Sequence, residues 1–176
     1  GTDDAISTIL KFEAKQGVTS VALASMTMGK DTLEKAFKSA ASFRPKENEA
    51  SLEGIYMEGP FISPNKIGAQ NPKFLKPLDL DFFKTLQKVS GNLIKCLVVA
   101  PELDGAIDFI KEVKDKVRVS LGHTNCDYQT ASSAFEATPT CLSTSSPFLK
   151  KRRVGMLLML YVIGTSSHSS TLHLQT

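Results

Sequence analysis

Glu58 and His123 close two apolar runs, Gly54-Ile55-Tyr56-Met57-Glu58 and Val117-Arg118-Val119-Ser120-Leu121-Gly122-His123, and glycine or proline interrupts each run at that point. A polar side chain so placed sits where a buried strand emerges into a loop. A carboxylate and an imidazole form a donor set for a divalent metal ion, which keeps a coordination position open and moves the pKa of water toward neutrality. Singly, a strand-end carboxylate is more often a capping or ion-paired group, and a lone histidine a hydrogen-bonded one. Two such ends in one chain point to a site, because the C-terminal rim of a parallel α/β barrel is where catalytic groups converge.

The surrounding sequence supplies the elements that such a rim requires. Asp3 or Asp4 is placed to cap a helix with the apolar stripe Ile6, Ile9, Leu10 and Ala14, ending at Gly17. A strand over Val18–Met26, a helix over Asp31–Phe43 stopped by Pro45, and a strand over Leu52–Met57 follow. Pro60 to Pro77 is rich in Pro, Gly and Asn and reads as a long loop over the barrel mouth. Then come helix Asp81–Val89, strand Leu93–Val99, helix Gly105–Lys114, strand Val117–Leu121 and helix Asp127–Ala137, with Asn125 as the expected cap of the last. The alternation predicts an α/β fold, about four parallel strands with helices packed outside.

Glu58-Gly59-Pro60-Phe61-Ile62-Ser63-Pro64 with Lys66-Ile67-Gly68-Ala69-Gln70-Asn71-Pro72 resembles the metal-ligand and substrate loop of the N-acetylglucosamine-6-phosphate deacetylases of the amidohydrolase superfamily. Ser120-Leu121-Gly122-His123-Thr124-Asn125 resembles the segment carrying a later histidine ligand, and Val99-Ala100-Pro101-Glu102 the strand end between them. The resemblance covers residues 1–137. It implies a partial (β/α)8 TIM-type barrel, Glu58 and His123 as metal ligands, and Ala69 and Gln70 as substrate-binding positions. Gln70 departs from the family's usual histidine and cannot carry charge toward a phosphate. The implied cofactor is a divalent metal ion, zinc or iron, and the implied substrate N-acetylglucosamine 6-phosphate, hydrolysed to glucosamine 6-phosphate and acetate. The resemblance further implies an aspartate on a later strand that shuttles the proton, and a homo-oligomeric parent enzyme.

The 176 residues fall short of the roughly 250 of a complete barrel. The resemblance places the family's first strand, with its His-x-His pair, before Gly1, so an internal fragment of the barrel is the expectation. All 18 acidic residues and 17 of the 21 lysines and arginines lie in residues 1–137, so the basic balance belongs to the tail. A nucleic-acid footprint over the fold is not expected. Cys96, Cys126 and Cys141 make no Cys-x-x-Cys pair and read as reduced thiols, and no apolar run reaches the roughly 20 residues of a membrane span. A cytoplasmic protein without membrane partners is expected.

Residues 138–176 form a second segment of different character. Thirteen of these 39 residues are Ser or Thr and none is acidic, so the segment is expected to be an aberrant, poorly ordered tail. Ser143-Thr144-Ser145-Ser146 can be encoded so that a frame displaced by one base reads His-Leu-Phe, the family motif due after Ala137. A shifted reading frame is the corresponding expectation. Two other functions fit the same residues: an amidohydrolase of different substrate, and a non-catalytic half-barrel binding a sugar phosphate or a protein.

Overall fold

The computed structural model describes residues 1–137 and the backbone of 141–142 and 161–162. Helix α1 (Asp3–Lys15) leads into β1 (Ser20–Ser25), α2 (Lys30–Ser42) and β2 (Ser51–Met57). Two 3-10 turns, Pro64–Lys66 and Pro72–Phe74, shape the following loop. Then α3 (Leu80–Val89), β3 (Ile94–Val99), α4 (Ala106–Val113), β4 (Arg118–Leu121) and α5 (Tyr128–Ala137) continue the alternation. Every strand pairing is parallel, and β1 to β4 lie side by side in chain order. Their C-terminal ends therefore share one rim, as the alternation predicts.

Two short strands from the tail, β5 (Cys141–Leu142) and β6 (Tyr161–Val162), lie against β4 and β1 at the two sheet edges. The remainder of residues 138–176 lies outside the described residues, and so do the expectations of an irregular tail and a shifted frame.

Alternation along each strand divides the apolar side chains between two clusters, because successive strand residues point to opposite faces. Leu23, Ile55, Met57, Leu97, Val99, Val119 and Leu121 meet helical side chains such as Leu33, Phe37, Phe83, Leu86 and Ile110. On the other face Ala24, Tyr56 and Val98 pack with Ile62, and with the partly buried Ile67 and Leu75, from the loop after β2. That loop is thus pinned across the inner face. Phe61, fully buried, turns the other way and packs edge-on against Phe82 and Phe109, with centroids 6.1 and 5.2 Å away. Burying one such ring contributes about 1.5–3 kcal/mol, enough to hold the start of the loop.

Two helix caps differ from expectation. Thr2, not Asp3 or Asp4, caps α1: it is the extended residue, and its hydroxyl accepts from Ala5 N–H at 3.3 Å. Both aspartates fall in the first turn, where their charge complements the helix N-terminus. Before α5, Asp127 accepts from Thr130 N–H at 2.8 Å, displacing Asn125 from that role. No helix among the described residues is long and apolar enough to cross a membrane.

Candidate metal centre

Glu58 directly follows β2 and His123 stands two residues beyond β4, on the shared rim. Their side chains meet: His123 Nε2 lies 2.9 Å from Glu58 Oε1, with side chains 8% and 18% exposed. The other ring nitrogen, Nδ1, is 2.9 Å from the carbonyl oxygen of Lys66. A carbonyl only accepts, so Nδ1 carries a hydrogen and donates. Nε2 then faces the carboxylate either protonated or with a lone pair aimed at the same point as a carboxylate oxygen. Hydrogen bonding to Glu58, foremost, raises the His123 pKa; burial opposes the shift and the Lys66 carbonyl adds to it.

This geometry fits a divalent ion. Nδ1–H bound to a carbonyl fixes the tautomer that leaves Nε2 for a metal, a recurrent arrangement around ligating histidines. Donors about 2.0–2.1 Å from one ion lie roughly 2.9 Å apart at a right angle and 3.4 Å apart at the tetrahedral angle. The observed 2.9 Å thus needs little movement to admit one. Among the described residues no third His, Cys, Asp or Glu joins the pair.

Gln70 stands inside this site. Only 7% exposed, its Oε1 accepts from Thr27 N–H at 2.7 Å and its Nε2 donates to Glu58 Oε1 at 3.0 Å. The Thr27 donor dictates which way round the amide sits. Ala69, beside it, is exposed on the loop. Gly59 adopts φ +81, and a Cβ there would fall 1.9 Å from Thr27 Oγ1. Gly68, at φ +60, brings the loop so close that a Cβ would lie 3.3 Å from His123 Cε1. These two glycines let the loop fold down onto the carboxylate and the imidazole.

His123 itself has φ +49, a left-handed backbone that only a few per cent of non-glycine residues adopt, with His, Asn and Asp the commonest among them. Four hydrogen bonds hold its segment. Its carbonyl accepts from Ser63 N–H at 3.0 Å, and Gly122 N–H donates to Val99 O at 3.3 Å. Beyond it, Glu102 accepts from the Thr124 hydroxyl and, at 2.6 Å, from Asn125 N–H. In the sequence Glu102 marks only a strand end, and nothing there points to the loop it holds. Lys66 and Thr27 were invisible to it because they act through backbone groups, which any residue type supplies.

No protein-family profile matches the chain. N-acetylglucosamine-6-phosphate deacetylase of Bacillus subtilis is 34% identical over 128 residues, 70% of this chain and 32% of that protein. N-acetylgalactosamine-6-phosphate deacetylase of Escherichia coli O157:H7 is 30% identical over 136 residues, 76% of this chain and 36% of that protein. The crystal structure of N-acetyl-D-glucosamine-6-phosphate deacetylase from Mycobacterium smegmatis superimposes with a TM-score of 0.70 at 24% identity, over 77% of this chain and 35% of that one. The chain therefore spans about a third of the length of the curated relatives it matches. Over that span it belongs to the N-acetylglucosamine-6-phosphate deacetylase family.

Proposed function

We propose that the chain carries part of the active centre of a metal-dependent deacetylase acting on N-acetylglucosamine 6-phosphate, with Glu58 and His123 as two ligands of the ion. The observation that carries this reading is the 2.9 Å approach of His123 Nε2 to Glu58 Oε1 with Nδ1 engaged elsewhere. A bound divalent ion, zinc or iron, supplies Lewis acidity toward an amide carbonyl and acidifies water. Glu58 contributes negative charge, held in place by the Gln70 amide. His123 contributes a neutral nitrogen, oriented by the Lys66 carbonyl. Ala69 and Gln70 border the substrate at the mouth of the loop, Ala69 from its exposed rim. The parent enzyme in this reading is a cytoplasmic homo-oligomer.

Amide hydrolysis also needs an acid for the departing amine. The proton-shuttling aspartate of the family has no counterpart at a matching strand end in residues 1–137, and residues 138–176 contain no Asp or Glu. The purified chain should consequently show no turnover of N-acetylglucosamine 6-phosphate, with or without added zinc. Metal-dependent release of acetate by this chain would contradict the assignment of roles. The galactosamine-type relative favours a second substrate, the 4-epimer. Turnover of both sugar phosphates by a full-length homologue carrying this chain's loop 58–72 separates the two.

A further inference from the structure

Resting on the metal reading above, we propose that Glu102 is a positioning residue for the His123 ligand. Glu102 lies three residues beyond β3, whereas His123 follows β4, and the two strands are neighbours in the sheet. Its carboxylate spends one oxygen on the Thr124 hydroxyl and the other on Asn125 N–H, gripping both residues that follow His123. The Thr124 oxygen in turn accepts from Cys126 N–H at 3.0 Å, so the grip extends along the loop. Thr124 is 2% exposed, which shields its bond to the carboxylate from competing water.

The need for a grip is written in the backbone. His123 sits at φ +49, a conformation that a released L residue leaves for the broad β or right-handed regions. Either change swings Cβ and withdraws the ring from Lys66 O and Glu58. Ser63 N–H holds only the carbonyl side of the residue. A carboxylate supplies two charged acceptors from one rigid planar group; a glutamine amide keeps one neutral acceptor for Asn125 N–H and turns its NH2 toward the Thr124 hydroxyl, which must give up its own donation and rotate to accept, so both charge-assisted bonds are lost. Among the described residues Glu102 does not join Glu58 and His123 as a third metal-binding group, and it acts through the loop geometry of His123.

The test uses Glu102→Gln and Thr124→Val, with Thr124→Ser as the variant that keeps the hydroxyl. Two quantities are read on the chain: the imidazole nitrogen chemical shifts of assigned His123, and the affinity for cobalt(II) by titration. In Glu102→Gln and Thr124→Val the shifts should lose the fixed Nδ1–H pattern and cobalt affinity should fall by about tenfold or more. Thr124→Ser should keep both. A merely structural tie would lower thermal stability and leave the ring signature alone. Unchanged shifts and affinity in both variants overturn the proposal. If Glu102→Gln does not fold, the near-isosteric Thr124→Val decides. A wild-type chain that binds no cobalt sinks the metal reading instead, while the ring shifts still decide the role of Glu102.

Discussion

Gln70 Nε2 donates to Glu58 Oε1 over 3.0 Å, the same oxygen that meets His123 Nε2. One carboxylate oxygen thus serves two neighbours, one on the loop after β2 and one just beyond β4. Gln70→Ala removes that donor and leaves Thr27 N–H without its acceptor. The expected loss is about 1–3 kcal/mol, as for other orphaned buried groups. Urea denaturation of the two proteins measures it; equal midpoints would mean that water replaces the amide at no cost.

Gly59→Ala is expected to be worse. The new methyl meets Thr27 Oγ1 at 1.9 Å, and φ +81 disfavours any side chain. Strain and overlap together should cost about 2 kcal/mol or more. Since Gly59 adjoins Glu58, divalent-metal affinity should fall along with the denaturation midpoint. A variant as stable as the parent would contradict the packing described.

Phe61→Ala tests how the loop is anchored. The ring is fully buried against Phe82 and Phe109, and its carbonyl accepts from Ala100 N–H at 2.9 Å. Truncation should destabilise by about 3–5 kcal/mol. Native-state hydrogen exchange should show the loop amides of Ser63 and Gln70 opening more readily in the variant. Unaltered protection there would detach the ring from the loop.

The acid–base behaviour of His123 gives a prediction with a definite sign. Its pKa is raised in the fold, mainly by the bond to Glu58, from an ordinary value of about 6.5. A raised value means that the folded state holds the proton more tightly. The stabilisation is therefore complete below about pH 6.5 and is lost as pH rises through the folded value. Metal binding runs the other way, because the ion displaces that proton and gains affinity over the same rise. Metal-free denaturation followed across this window should show a loss of stability that Glu58→Gln reduces. An identical pH slope in that variant would rule out the pair as its source.

The chain announced its alternating elements and both rim residues because glycine and proline punctuate the strand ends, and burial imposes apolar runs on the strands between. Glu58 and His123 came together as parallel strand geometry requires. The position of Gln70 was legible but its orientation was not: a loop glutamine turns inward here because Thr27 N–H, beside β1, needs an acceptor. Capping by Thr2 in place of Asp3 or Asp4 was hidden for a related reason. Three adjacent residues offer a side-chain oxygen, and only the one with extended backbone, φ −116 and ψ 158, becomes the cap. Glu102 needed the structure, since its partners belong to a different strand end.

The metal assignment of Glu58 and His123 is tested most directly by titrating cobalt(II) or zinc(II) into the chain at a pH above the raised His123 value, beside Glu58→Ala and His123→Ala. His168 and His173 remain in both variants, so any binding confined to the tail persists in them. The account predicts a saturable one-to-one event in the parent that each substitution weakens by at least about tenfold. Equal binding in parent and variants, or none in the parent, would contradict it.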